Sequence, residues 1–250
     1  MELRTIEFTA PSKNTYEIRE QNGEDEDILS NPLEMRTLMH LSRYISAIVT
    51  KTTFTKSGRL TVDDALNLPL LDRYCILIKA RIFSIGSELN FDYSWGKSVI
   101  QYEEDLSKYV FEDYSNISDD EITNKLDAVP FYLDTDILSG KHFTLKSGKV
   151  ISFKAATGKT EQRILSLPED KRTRNAELIA RDLSLEVDGK FEIVQNFSMF
   201  SVKDMAEIRH LVNTYDPTFT GVTDVTNPST GEVVQFPVLA APSFFFPTEM

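Results

Sequence analysis

One cysteine, one tryptophan and three histidines stand among the 250 residues of this chain, and each scarcity closes off some chemistry. A single thiol makes no internal disulfide and builds no thiolate zinc site. Cys75 lies in an apolar stretch with helical spacing and reads as a small core residue. No two of His40, His142 and His210 fall at metal-ligand spacing along the chain. Glycine and proline number only 10 each, which excludes collagen-like and low-complexity structure for most of the chain. Long hydrophobic runs are missing as well. The longest, over 74–78, is broken by Lys79 and Arg81, whereas a bilayer span needs roughly 20 apolar residues. Met1-Glu2-Leu3-Arg4-Thr5 has neither the basic nor the apolar part of a secretory leader, so no leader is expected.

Positive charge is also short. There are 27 Lys and Arg against 39 Asp and Glu, a net charge of −12, with no basic cluster. Binding that releases counterions from nucleic acid needs such a cluster, and the same field disfavours anionic membranes. Neither nucleic acid nor membrane is an expected partner. The plain role of the charge is a solvated surface.

What is present is enough apolar material, 41% of the chain, for a full core without staples. Its arrangement repeats. Ile6 and Phe8 alternate, Ala10-Pro11-Ser12-Lys13-Asn14 turns, and Tyr16 and Ile18 alternate again. A helix start with acids in its first turn follows at Asn22-Gly23-Glu24-Asp25. From residue 141 the order recurs: Phe143 and Leu145, a turn at Ser147-Gly148-Lys149, Ile151 and Phe153, then Thr157-Gly158 opening a charged helix.

Helical spacing links Met35, Leu38, Leu41, Ile45 and Ile48, and again Ala176, Ile179 and Leu183. Thr61 with Asp64 and Ser201 with Asp204 have capping-box spacing. The first of these helices is expected to run on past Pro69 to a stop at Gly86, and the second to end at Asp216-Pro217. Each half then closes on a hairpin, over 89–102 around Trp95-Gly96-Lys97 and over 220–238 around Asn227 to Gly231. The expected fold is therefore α+β and internally duplicated, each half a β-hairpin, amphipathic helices and a second β-hairpin. The halves are 1–103 and 141–250, joined by an acidic, aromatic-rich connector over 104–140 that carries Tyr109, Phe111, Tyr114, Phe131 and Tyr132.

Most catalytic patterns fail. Thr157-Gly158-Lys159-Thr160 looks like the end of a phosphate-binding loop, but Phe153 stands where its first glycine belongs. The acidic pairs Asp25/Asp27, Asp63/Asp64, Asp119/Asp120 and Asp134/Asp136 fall at helix starts or in polar loops, where acids favour the helix dipole or stay solvated. No Gly-x-Ser-x-Gly is present. No metal or cofactor is expected. The tail is unusual: Phe244-Phe245-Phe246 before Pro247 is a sticky run that docks either on its own chain or on a partner.

These residues carry a resemblance. Tyr16-Glu17-Ile18-Arg19-Glu20-Gln21-Asn22-Gly23-Glu24-Asp25-Glu26-Asp27-Ile28-Leu29 resembles the opening of baseplate proteins of T-even-like contractile-tailed bacteriophages. Leu60-Thr61-Val62-Asp63-Asp64 through Leu70-Leu71-Asp72-Arg73-Tyr74, with Ile76 to Ile82 and Gly86, resembles that family's central helix. The ending Phe244-Phe245-Phe246-Pro247 is similar to its aromatic-proline close. Together these stretches extend the resemblance over most of the chain.

The resemblance implies a non-catalytic protein that assembles the baseplate hub through contacts with other hub or tail proteins. It would work in the host cytoplasm during assembly or within the tail baseplate. Relatives carry a Cys-x-x-Cys at the first closing hairpin. Here Asp92-Tyr93-Ser94-Trp95-Gly96 has no Cys, so no metal knuckle forms and Trp95 takes that place. The candidate partner-binding residues are Phe244, Phe245, Phe246, Trp95, Tyr109 and Phe111, since aromatic anchors dominate such contacts. The alternatives are a permanent structural subunit of the baseplate or tail, and a soluble hydrolase using a carboxylate pair. The oligomeric state is not legible.

Overall fold

A computed structural model of the chain describes residues 3–114, 116–118, 120–122, 128–133 and 140–246. Asp119, Asp134, Asp136 and Pro247 lie outside the described residues. The fold is mixed α+β, with helices and several small antiparallel sheets.

Strands β1 (Thr5–Thr9) and β2 (Thr15–Arg19) form the expected first hairpin, with Ile6 opposite Ile18 and Phe8 opposite Tyr16. Helix α1 (Gly23–Leu29) begins at a capping box made by Asn22 and Asp25. Helix α2 (Pro32–Met35) is a single exposed turn, and α3 (Met39–Ile48) follows it. The helical spacing from Met35 to Ile48 is thus split. Leu38 adopts a left-handed φ of 55° between the two helices, so the run turns before α3 begins. Strand β3 (Val49–Thr52) then returns to pair with β2.

The helix expected to cross Pro69 is also two helices, α4 (Val62–Asn67) and α5 (Leu70–Ser84). Proline cannot donate to the ladder and drives the residue before it out of helical space. Leu68 accordingly has ψ 141°, and Pro69 starts α5. Helix α5 is buried nearly all round, as a central helix must be. Strands β4 (Glu88–Trp95) and β5 (Ser98–Asp105) make a two-residue hairpin through Gly96 and Lys97.

Strands β6 (Lys141–Thr144) and β7 (Val150–Phe153) pair as expected. Helix α6 (Gly158–Ser166) and helix α7 (Ala176–Ala180) follow. Leu183, expected on that second helix, is buried just beyond its end. Strands β8 (Ser184–Val187) and β9 (Lys190–Ile193) form a further hairpin, absent from the sequence reading, which extends the sheet to the order β6-β7-β8-β9. Helix α8 (Val202–Tyr215) starts at the Ser201/Asp204 capping box, strands β10 (Val222–Thr226) and β11 (Val233–Pro237) follow, and two single 3-10 turns, Val238–Ala240 and Pro242–Phe244, lead into the tail.

Three apolar cores result. The first joins Tyr16 and Ile18 of β2 to Ile45 and Ile48 of α3 and Ile76 of α5. The second joins Ile151 and Phe153 of β7 to Ile208 and Val212 of α8, with Phe131 from the connector. In the third, the two closing hairpins share one interior, in which Leu89, Phe91, Val225 and Val238 meet Ile78 of α5 and Phe244. Each fully buried large apolar side chain stabilises by about 1.5–3 kcal/mol.

Candidate functional site

Helix α5 brings the polar groups of interest to the place where the two halves meet. Leu70 N–H donates to the Ala156 carbonyl at 3.0 Å, and Pro69 bridges to Thr157, which fixes the start of α5 against the start of α6. Arg73 is buried there. Its Nη1 donates to Ser42 Oγ at 3.1 Å and to the Ala65 carbonyl at 2.5 Å, and its Nε lies 3.9 Å from Glu161 Oε2. Burial lowers the Arg73 pKa, and the Glu161 charge pulls it back up. A Cβ on Gly158 would sit 2.6 Å from the guanidinium carbon, so α6 approaches this closely only because position 158 is glycine. The loop that looked like a phosphate cradle is therefore a seat for Arg73, and its Lys159 pairs with Asp63 at 3.0 Å.

Next to it, Tyr74 Oη donates to Glu161 Oε1 at 2.6 Å. Burial, then the Glu161 charge, push the Tyr74 hydroxyl upward. His40 Nδ1 lies 3.4 Å from the Glu34 carbonyl. Burial lowers its pKa against the pull of Glu34, so the imidazole is neutral at pH 7. Tyr74, Glu161 and His40 form one polar edge of a cleft of about 480 Å³; Thr220 and Gln235 add polar groups, and the rest of its lining is mainly apolar, with Leu41, Val222, Leu239 and Phe245. The size is that of a binding pocket, and its one carboxylate, Glu161, is already engaged by Tyr74 and by Arg73 behind it.

Phe219 and Thr220 line both this cleft and a second depression of about 380 Å³. The Phe219 ring lies 5.2 Å from Tyr74, 5.6 Å from Tyr109 and 5.1 Å from Phe111, the last pair stacked. A Cβ on Gly221 would collide with the Phe219 ring, so a side chain there would push that ring out of its place.

Of the sequence candidates, Tyr109 and Phe111 line the second depression and Phe245 lines the first. Tyr109 Oη also donates to the Val222 carbonyl at 3.1 Å. Trp95 sits apart on the β4–β5 hairpin. Its Nε1 donates to Tyr102 Oη at 2.8 Å, and its ring packs edge-on against Tyr93. Phe244 is wholly enclosed in the third core and offers no face to a partner of the folded chain. Phe245 meets Tyr44 edge to face at 5.8 Å, its carbonyl accepts from Gln21, and Phe246 packs on the first core. The tail thus docks on its own chain, mainly on the half remote from it in sequence. The sequence reading missed Phe219, Tyr74, His40 and Glu161, because no local pattern joins residues so far apart.

The carboxylates are mostly occupied. Asp25 caps α1 and pairs with Arg19 at 2.6 Å, and Asp64 caps α4. Burial pushes the Asp72 carboxyl up to about 6, although Ser12 and Tyr16 donate to it. Burial also raises Asp216, against the opposing pull of Arg181, which donates to it. Neither Asp72 nor Asp216 lines the two depressions. Among the described residues, no group of three His, Cys, Asp or Glu side chains is placed to hold a metal ion. No helix of the described residues is long and apolar enough to cross a membrane.

Comparisons with protein-family models, curated protein sequences and solved structures give no match to this chain.

Proposed function

We propose that this chain is a phage baseplate protein that helps assemble the hub by binding other hub or tail proteins, without covalent chemistry of its own. The cleft beside Phe219 carries the reading. Most of its lining is apolar, its Tyr74 and Glu161 are tied to one another, with Glu161 also 3.9 Å from the buried Arg73 behind it, and it lies where both halves and the docked tail converge. Such a cleft suits an apolar anchor from another protein, because the anchor gains burial without stranding a polar group.

The layout supports an internally duplicated unit. In each half a hairpin is followed by short helices, and a later strand pairs with the hairpin's second strand, β3 with β2 and β8 with β7. A capping-box helix and a closing hairpin come next in both. Two similar faces serve two neighbours in an assembly.

The test is complementation of a phage lacking this gene. The wild-type chain is expected to restore baseplates seen by electron microscopy, and Leu41→Asp and Leu239→Asp, each shown by circular dichroism to keep the native fold, to fail. Normal baseplates without the gene would overturn the reading. Quantitative mass spectrometry of purified virions then separates the two roles. Absence from virions marks an assembly factor, and a fixed copy number marks a permanent subunit.

A further inference from the structure

We propose that the outer edge of β9 pairs, antiparallel about a two-fold axis, with the β9 edge of a second copy of this chain. The proposal stands independently of the baseplate reading.

The β8–β9 hairpin turns through Asp188 and Gly189, with positive φ values of 51° and 75°. Val187 and Lys190 therefore form its closing hydrogen-bonded pair. The alternation continues to Val194, whose N–H donates to the Leu183 carbonyl at 2.8 Å. By the same alternation, the main-chain groups of Phe191 and Ile193 face away from β8, toward the open edge. No further strand of the described residues pairs there.

The side chains of these two residues are exposed as well, Phe191 by 38% and Ile193 by 52%. All four residues of β9 are exposed. A strand whose outward main-chain groups are unpaired and whose apolar side chains stay exposed is a template for another strand. Edges are commonly protected by proline, by bulges or by charges that repel a copy. Here there is no proline, and the two charges, Lys190 and Glu192, are of opposite sign on alternate positions.

That charge pattern selects the occupant and the register. When Phe191 lies opposite Phe191 of the second copy, Lys190 lies opposite Glu192 of that copy, and Glu192 opposite its Lys190. The symmetry makes two complementary cross-strand pairs, with the aromatic rings adjacent on the opposite face. The rival register, Phe191 opposite Ile193, sets the two Glu192 carboxylates face to face. On that face the Phe191 ring also meets the His142 ring of β6, 4.2 Å away. The pairing joins two four-stranded sheets into one continuous sheet.

Sedimentation of the full chain over a concentration series tests this, alongside Lys190→Glu, Glu192→Lys and the double exchange, each checked for native circular dichroism. The wild-type chain is expected to dimerise reversibly. Each single reversal turns both cross-strand pairs repulsive and is expected to raise the dissociation constant about tenfold. The double exchange is expected to restore it. A wild-type chain that stays monomeric at its highest soluble concentration would overturn the proposal. So would single variants that dimerise as well as the wild type.

Discussion

Two glycines occupy the same position, the first residue of a helix after a capping box, and the structure assigns them opposite responses to the same substitution. Gly23 opens α1 and has no atom within 4 Å of where a Cβ would be. Gly158 opens α6, and its Cβ would meet the Arg73 guanidinium carbon at 2.6 Å and Nη1 at 2.7 Å. Carbon atoms pack comfortably at about 3.5–4.0 Å, so something must move by roughly 1 Å. The guanidinium is held by Ser42, Ala65 and Glu161.

Alanine removes backbone freedom from the unfolded chain, which stabilises by about 0.4–1 kcal/mol where the site is open. Gly23→Ala is expected to gain that amount. Overpacking a rigid interior costs about 1–3 kcal/mol, so Gly158→Ala is expected to lose about 1–2 kcal/mol net. Urea unfolding followed by circular dichroism measures both, with an unchanged slope as the control. In an Arg73→Met background the Gly158→Ala penalty should largely vanish, giving a coupling energy of about 0.5–3 kcal/mol. A Gly158→Ala chain as stable as the wild type would show that α6 does not rest on Arg73.

Two further outcomes follow from the interior. The folded chain holds the Asp72 carboxyl at about 6, above its ordinary value, so folding favours the protonated form. The stability from this group is fully present below about pH 4 and is lost as pH rises through about 6, a change on the order of 3 kcal/mol. Asp72→Asn should therefore gain stability relative to the wild type as pH rises from 4 to 7. Parallel urea midpoints across that range would refute the burial of a titrating carboxyl. Phe244→Ala empties a fully enclosed site in the third core and should cost about 3–5 kcal/mol. A chain ending at Ala241 that unfolds at the wild-type midpoint would show that the tail is not docked.

Local signals were readable because their causes are local. The hairpin of β1 and β2 follows from alternation around a short turn, and the caps at Thr61 and Ser201 from a hydroxyl and an acid three residues apart. Pro69 should have been read as a boundary, since its own chemistry ends a helix. The β8–β9 hairpin also had a sign, Asp188-Gly189 between alternating residues, though each strand is only four residues long. Leu38 gave none, because a left-handed leucine is imposed by its surroundings and not by its own preference.

The candidate site was legible only as aromatic content. Tyr109, Phe111 and Phe245 are legible as aromatic candidates, but Phe219, whose ring lines both depressions, stands alone in a loop. Trp95 and Phe244 were named on the same grounds, yet one lies on a separate hairpin and the other is enclosed.

By itself the sequence determined the class of fold, the positions of most hairpins and caps, and the lack of basic clusters and thiol pairs. Each depends on residue type and on neighbours a few positions away. The tertiary structure decided which glycine is free, which aspartate is buried, where the tail packs and which strand edge stays open. Those outcomes depend on residues such as Arg73 and Gly158 that approach one another across 85 positions of chain, where no local periodicity carries information.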